Sequence, residues 1–169
     1  MARGHWVFTD GSNIDVQVGA GYVIPERNTA LPTKVKGPQR VNRAEMTAQL
    51  AALEDIPQDE TISVYKDNKC SIQDNKKWIV YPGRFPKHKH EDMLFSICTK
   101  LANRTGHTTI YKIPAHVGQA GNEAAYTQAK TGAKVTQGVD TRGTDECLAQ
   151  TNIHPVFEDN RLTTPKTQL

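Results

Sequence analysis

The sequence of 169 residues predicts an α/β fold in which helices cover both faces of a five-stranded mixed sheet. Three observations predict this class. Three short segments rich in β-forming residues follow one another closely at the start of the chain, which is typical of antiparallel hairpins. A helical repeat comes next, and two further strand patterns then alternate with helical ones. With 37% hydrophobic residues the chain can bury one ordinary core, so we expect one domain and a tail.

The predicted strands cover residues 5–10, 17–24, 31–36, 62–65 and 108–113. The first shows the period of two that a strand requires, because Trp6 and Phe8 alternate with Val7 and Thr9. Only a few residues separate the first three segments, which is too short a connection for a parallel crossover. We therefore expect three antiparallel strands, followed by two further strands of the same sheet.

The predicted helices cover residues 42–53, 68–77, 91–103 and 121–130. In the first, Met46, Leu50 and Leu53 follow i, i+4, i+7 spacing, which indicates one buried face. Beyond the last helix the hydrophobic periodicity disappears and polar residues dominate. The sequence therefore predicts a domain over residues 1–133 and an extended or disordered polar tail over residues 134–169.

Several functional classes are disfavoured by composition. No apolar run approaches the roughly 18 residues that cross a bilayer, and the N-terminus lacks the apolar region of a signal peptide. The cysteines, Cys70, Cys98 and Cys147, are odd in number and show no CxxC spacing. Neither a disulfide framework nor a zinc site is indicated. We expect a soluble intracellular protein that has no membrane partner.

Positive charge is concentrated between Lys76 and Arg104, where seven basic residues accompany two acidic ones, although the net charge of the whole chain is only +3. The same segment contains Trp78, Tyr81 and Phe85. Lysines that neutralise phosphates beside aromatic rings that pack on sugars or bases are typical of nucleic-acid contact. A solvated basic loop is the alternative interpretation.

Three carboxylates fall at positions where a regular element holds them rigidly. Asp10 ends the first predicted strand, Glu45 lies in the first turn of the first long helix, and Asp67 follows the fourth strand. Each also has an ordinary explanation: a turn at Asp10, a capping box at Glu45 and a helix N-cap at Asp67. Strand ends and helix termini meet at one edge of an α/β sheet. The three carboxylates together therefore predict a magnesium site for phosphate chemistry.

Four segments carry a resemblance to a known family: FTDGS at 8–12, NRAEM at 42–46, VYKDN at 64–68 and PAHVGQAGNE at 114–123. In order and spacing they resemble type 1 ribonuclease H and the related domains of retroelement polyproteins. The resemblance covers nearly the whole predicted domain. It implies the RNase H-like fold. It also implies adjacent reverse transcriptase or integrase domains as possible partners, and a cytoplasmic, nuclear or virus-particle location.

The resemblance further implies endonucleolytic cleavage of the RNA strand of an RNA–DNA hybrid, with Mg²⁺ or Mn²⁺ as cofactor. Asp10 would bridge two ions, while Glu45 and Asp67 would complete the site of one of them. His116, on a mobile loop, would assist proton transfer and product release. By motif match Ser12, Asn42 and Asn68 would contact the hybrid, and the basic segment adds Lys76, Lys77 and Trp78.

Tyr126 departs from the pattern of this family, which has a fourth aspartate ten residues after the loop histidine. That aspartate would be a ligand of the ion that activates the attacking water, and a neutral phenol is a poor replacement. Glu123, one helical turn earlier, is a candidate substitute, as is Asp140 or Asp145 in the tail. Without a substitute we expect the protein to be slow, manganese-dependent or inactive.

Lys66 is a second departure, because a small polar residue usually precedes the second aspartate of this family. Alternation along the strand should direct its side chain away from Asp67, so we expect the change to be tolerated.

Two classes of function remain open, with a third as a check. The first is a metal-dependent ribonuclease H with weak activity. The second is a catalytically inactive domain of the same fold that binds nucleic acid or separates the enzymes of a polyprotein. A transposase or integrase of the same superfamily would use Asp10, Asp67 and Glu123, but the position of Glu45 argues against it.

Overall fold

The computed structural model describes residues 4–80, 89–115, 117–134, 156–158 and 161–164. The strands are β1 (Gly4–Ile14), β2 (Gln17–Ile24), β3 (Thr29–Lys34), β4 (Thr61–Lys66), β5 (Thr108–Lys112), β6 (Val156–Glu158) and β7 (Arg161–Thr164). The helices are α1 (Val41–Asp55), α2 (Lys69–Val80), α3 (Glu91–Asn103) and α4 (Ala120–Lys134), and a 3₁₀ turn covers Pro25–Arg27.

The five strands of the domain form a mixed sheet in the order β3-β2-β1-β4-β5. β1, β2 and β3 are antiparallel neighbours, whereas β4 is parallel to both β1 and β5. The predicted α/β class and five-stranded mixed sheet are confirmed. In the predicted tail, β7 pairs with β5 and β6 pairs with β7, so two short strands extend this sheet. Lys134 is the last residue of α4, and the remaining tail residues lie outside the described part of the chain.

Helices cover both faces of the sheet because the side chains of β1 alternate. Val7 enters the main core with Met46 and Leu50 of α1, which also contains residues of α2 and α3. Phe8, the next residue, packs on the opposite face in a cluster with Ala125 of α4. The carboxyl ends of β1 and β4 therefore lie between α1 on one face and α4 on the other.

Most predicted elements agree with the observed ones within a few residues. α1 ends at Asp55, two residues beyond its predicted end and two before Pro57, and α3 has the predicted bounds. β1 extends further than predicted, to Ile14, because it remains paired with β2 through the register Ile14–Gln17. In the described part of the chain, no helix is both long enough and apolar enough to cross a membrane.

Candidate metal centre

The structure brings Asp10, Glu45 and Asp67 together. One carboxylate oxygen from each residue lies within 4.8 Å of the others. Asp10 is in β1 and Asp67 directly follows β4, and these strands are parallel neighbours whose chains run toward the same edge. Glu45 reaches this edge from the second turn of α1. Elements distant in sequence thus converge on one acidic cluster, hereafter the carboxylate cluster.

Gly11 allows α1 to approach β1 at this point. A Cβ atom on Gly11 would lie 2.8 Å from the Glu45 backbone nitrogen and 2.9 Å from Ala44 Cβ, closer than real Cβ atoms pack. The Gly11 backbone N–H donates to Asp10 Oδ1 at 2.7 Å and to Glu45 Oε1 at 3.1 Å. The glycine therefore permits the close packing and orients two of the three carboxylates.

Glu45 occupies an environment that disfavours an isolated negative charge. Only 2% of the residue is exposed, and its Oε2 atom is buried without a hydrogen-bond partner. Burial raises the pKa of Glu45 well above its usual value, and the charges of Asp10 and Asp67 add to this effect against the opposing charge of Lys66. Hard carboxylate oxygens with an unsatisfied buried acceptor fit a divalent cation such as Mg²⁺.

Asn122 links α4 to the carboxylate cluster. Its amide Nδ2 donates to Asp67 Oδ2 at 3.2 Å, and the residue is almost fully buried. Sequence reasoning treated Asn122 only as part of a motif. The sequence does indicate a role for Asn122, because this residue lies in the first turn of the helix that directly follows the motif loop.

Lys66, the last residue of β4, is fully buried beside the cluster. Its Nζ donates to Gln49 Oε1 at 2.8 Å and to Ser71 Oγ at 2.5 Å. Burial lowers the pKa of Lys66 to about 8, against the opposing effect of Glu45 and the two aspartates. The prediction that the Lys66 side chain points away from Asp67 did not include its electrostatic interaction with all three carboxylates.

The family model of RNase H matches residues 3–134, which is most of the chain and includes all five strands from β1 to β5. The chain belongs to the RNase H family. No curated protein matches it. RNase H domains bind RNA–DNA hybrids and hydrolyse the RNA strand, generally with divalent metals, and the carboxylate cluster is where this RNase H domain presents hard oxygen ligands.

Glu123 and Tyr126 both lie on α4 of this RNase H domain. Glu123, on α4, is not part of the carboxylate cluster found among the described residues. Tyr126 is partly buried, and Lys130 Nζ lies 4.3 Å from the centroid of its ring, one helical turn further on. His116, Asp140 and Asp145 lie outside the described residues.

Apart from Trp78, the predicted hybrid-contacting residues of the RNase H domain divide into three groups. Asn42 and Asn68 are neighbours, since Asn68 Nδ2 donates to Asn42 Oδ1 at 3.2 Å, and both are partly exposed beside the cluster. Ser12 is largely buried in β1. Lys76 and Lys77 are exposed on α2.

Trp78 does not present its ring to a ligand in the RNase H domain, contrary to expectation. Only 6% of the residue is exposed, and it packs in the main core with residues of α1 and α3. The physical reason is its position on α2, three residues after the buried Asn75 and seven after the buried Ser71, which is the inner face of that helix. Tyr81 and Phe85 lie outside the described residues.

Proposed function

We propose that this RNase H domain binds RNA–DNA hybrids and cleaves the RNA strand endonucleolytically, weakly with Mg²⁺ or only with Mn²⁺. The observation that carries the proposal is the convergence of Asp10, Glu45 and Asp67, with a buried Glu45 oxygen that lacks a partner. Three carboxylates this close repel one another unless a cation lies among them.

The three carboxylates are the residues that would hold a divalent cation. When bound, such an ion supplies the positive charge that phosphodiester hydrolysis needs at the attacking and leaving oxygens. The Gly11 N–H orients Asp10 and Glu45, and the Asn122 amide fixes Asp67. These contacts hold the oxygens in place before substrate arrives, which lowers the cost of organising the site.

Substrate binding is assigned to the surface beside the cluster. The paired amides of Asn42 and Asn68 present polar groups there, which suits contact with base edges and 2′-hydroxyls in the minor groove of a hybrid. Lys76 and Lys77 are exposed on α2 and would neutralise phosphates of the backbone. Recognition of shape and 2′-hydroxyls predicts little preference for base sequence.

Tyr126 is the reason for proposing weak activity. It occupies the position of the fourth aspartate in the motif that the chain resembles, and a phenol is neutral near pH 7. Its ring packs against the Lys130 ammonium group, which adds positive charge near the position. Because Glu123 is not part of the carboxylate cluster, a second cation lacks a carboxylate from α4 in the described structure.

The alternative is a catalytically inactive domain that binds nucleic acid or acts as a spacer in a retroelement polyprotein. Tyr126 favours this alternative, as does the buried ammonium group of Lys66 beside the carboxylates. The complete set of Asp10, Glu45 and Asp67 favours the enzyme, because a spacer has no need of three converging carboxylates.

The deciding experiment is cleavage of an end-labelled RNA–DNA hybrid in Mg²⁺ and in Mn²⁺. We expect slow cleavage by the chain as it is, none by Asp10→Asn, and cleavage in Mg²⁺ at least about tenfold faster by Tyr126→Asp. Tyr126→Phe is the matched control, because it keeps the ring beside Lys130 and adds no charge.

Each outcome of this assay distinguishes the two functions. Fast Mg²⁺ cleavage by the unmodified chain would contradict the incomplete-site proposal. Hybrid binding without cleavage, by both the chain and Tyr126→Asp, would favour the inactive domain. Cleavage that persists in Asp10→Asn would remove the carboxylate cluster from the reaction.

A further inference from the structure

Asn68 connects α2 to α1 beside the carboxylate cluster. It directly precedes α2, and its Oδ1 accepts from the Ser71 backbone N–H at 2.8 Å. A side-chain oxygen that satisfies a free N–H in the first turn is the usual N-cap of a helix. Asn68 Nδ2 donates to Asn42 Oδ1 of α1 at 3.2 Å. The position of Asn42 and Asn68, hereafter the amide pair, therefore depends on how the start of α2 is held against α1.

The start of α2 is also hydrogen-bonded to the interior of the domain. Lys66 Nζ donates to Ser71 Oγ at 2.5 Å and to Gln49 Oε1 at 2.8 Å. The same Gln49 oxygen accepts from Asn75 Nδ2 at 2.7 Å. Each of these four residues is 0% exposed. We call Gln49, Lys66, Ser71 and Asn75 the buried polar network.

The buried polar network joins three elements of the fold. Gln49 belongs to α1 and Lys66 to β4, whereas Ser71 and Asn75 lie one helical turn apart on α2. Ser71 connects the network to the amide pair, because its Oγ accepts from Lys66 while its backbone N–H donates to Asn68. An unbroken series of hydrogen bonds thus runs from the exposed amide pair to the interior.

The network fixes the direction of α2 as well as its distance from α1. The apolar side chains of α2, Ile72, Trp78 and Ile79, already pack in the main core, so Ser71 and Asn75 are not needed to bury the helix. Buried polar groups cost free energy unless they are bonded, and bonded networks in a low-dielectric interior are rigid and directional. Ser71 and Asn75 therefore set the position of the first turns of α2.

The amide pair needs a fixed position in order to contact a hybrid. Asn42 and Asn68 are partly exposed, and the contact between them uses one of their four side-chain N–H groups. N–H groups of this kind can donate to 2′-hydroxyl oxygens and to base edges in the minor groove. Binding groups have to be held within about 0.5 Å of the productive geometry for such contacts to form.

We propose that the buried polar network positions the amide pair for contact with the hybrid, through the hydrogen bond between Ser71 and Asn68. Ser71 and Asn75 are then positioning residues for substrate binding, and they do not touch the substrate themselves. The first half of the proposal, that the network fixes the amide pair, concerns the free protein. The second half, the contact with the hybrid, rests on the proposed function.

The order of the side-chain amides in the free protein tests the first half. We expect Ser71→Ala to lower the nitrogen-15 order parameters of both Asn42 and Asn68 Nδ2 by about 0.2 or more, because Lys66 loses an acceptor and the first turn of α2 loosens. Ser96→Ala is the matched control, since Ser96 is a buried serine whose Oγ donates only within its own helix, to the Asp92 backbone oxygen. Unchanged order in Ser71→Ala would overturn the proposal.

Hybrid affinity tests the second half. Fluorescence anisotropy is measured in EDTA, so that no cleavage occurs, for the full chain and for Ser71→Ala. The same pair is compared in a background of Asn42→Ala with Asn68→Ser, which removes both amides and keeps an N-cap oxygen. We expect Ser71→Ala to weaken binding about tenfold in the unmodified chain and less than about twofold in this background. Equal losses in the two backgrounds would overturn the second half.

The two measurements separate this proposal from the proposed function. Loss of amide order in Ser71→Ala, with no hybrid binding by any of the proteins, would contradict the proposed function and support the first half. Binding that is unaffected by removal of both amides would overturn the second half. If Ser71→Ala does not fold, Asn75→Ala breaks the network at the Gln49 contact instead, with the same expected loss of order and of affinity.

Discussion

Asn122 donates a hydrogen bond to Asp67 Oδ2 at 3.2 Å and so joins α4 to a carboxylate that follows β4. Asn122 lies on α4, which packs on the face of the sheet opposite to α1, whereas Asp67 belongs to the end of a strand. Asp67 lacks the backbone donor that Gly11 provides to the other two carboxylates in the described contacts. The orientation of Asp67 therefore depends on the packing of α4.

Removing this amide tests that dependence. We expect Asn122→Ala to weaken Mn²⁺ binding by about 10- to 100-fold, the usual cost of losing an outer-shell contact to a metal ligand. Electron paramagnetic resonance of Mn²⁺ measures the change. Thr127→Ala, at an exposed position of the same helix, is the control and should leave the affinity unchanged. Equal affinities for Asn122→Ala and the unmodified chain would show that Asp67 is oriented without the amide.

The order and type of the elements follow from hydrophobic periodicity and from clear end signals. The predicted strand at 17–24 and the predicted helix at 91–103 coincide with β2 and α3. The convergence of Asp10, Glu45 and Asp67 was also predictable, because each is adjacent to an element whose direction the fold class determines.

The surroundings of Lys66 were not predictable from local pattern. Its acceptors come from two helices, and no local pattern shows that Gln49 of α1 and Ser71 of α2 meet at the end of β4. Trp78 is a different case. It was predicted on the surface because its segment is basic, although Ile72 and Ile79, at i, i+7 spacing, mark a buried face of the helix and Trp78 directly precedes Ile79. Helical spacing should have outweighed charge there.

Close packing of β2 against α4 makes a second prediction. A Cβ atom on Gly21 would overlap the Ala129 backbone nitrogen and lie 2.6 Å from the Ala125 backbone oxygen. We expect Gly21→Ala to lower the free energy of unfolding by about 3 kcal/mol or more, because neither backbone can move without displacing α4. Urea denaturation measures this change in the free energy of unfolding. Gly4→Ala, where a Cβ meets nothing within 4 Å, is the control. A small loss of unfolding free energy in Gly21→Ala would mean that α4 shifts easily to admit the methyl group.

The ion pair between Arg43 and Asp92 makes stability depend on pH. Arg43 Nη1 and Nη2 donate to the two oxygens of Asp92 at 2.9 and 2.5 Å, which joins α1 to α3. The hydrogen bonds from Arg43 lower the pKa of Asp92 below its usual 3.8. A lowered pKa in the folded state adds stability at pH values above the unfolded pKa, and this is lost as pH falls through the folded pKa.

Asp92→Asn isolates this contribution. We expect the unmodified chain to be more stable than Asp92→Asn at pH 7, and the difference to shrink as pH falls below about 4. Thermal unfolding from pH 7 to pH 2 measures both proteins. Lys100→Gln is the control, because it breaks the partly exposed pair with Glu54 and leaves the contact between Arg43 and Asp92 in place. A difference that is independent of pH would exclude ionisation of Asp92 as its source.

Lys76 and Lys77 provide the last prediction, because they are exposed on α2 whereas Trp78 beside them is in the core. We expect Lys76→Gln with Lys77→Gln to weaken hybrid binding and to lower the slope of log affinity against log salt by about 1 to 2, since each lysine that contacts a phosphate displaces counterions. Fluorescence anisotropy of a labelled hybrid at several salt concentrations measures both quantities. Lys100→Gln is the control, because Lys100 pairs with Glu54 at the far end of α1 from Glu45. A salt slope that stays unchanged in the double variant would remove this face of α2 from the nucleic-acid interface.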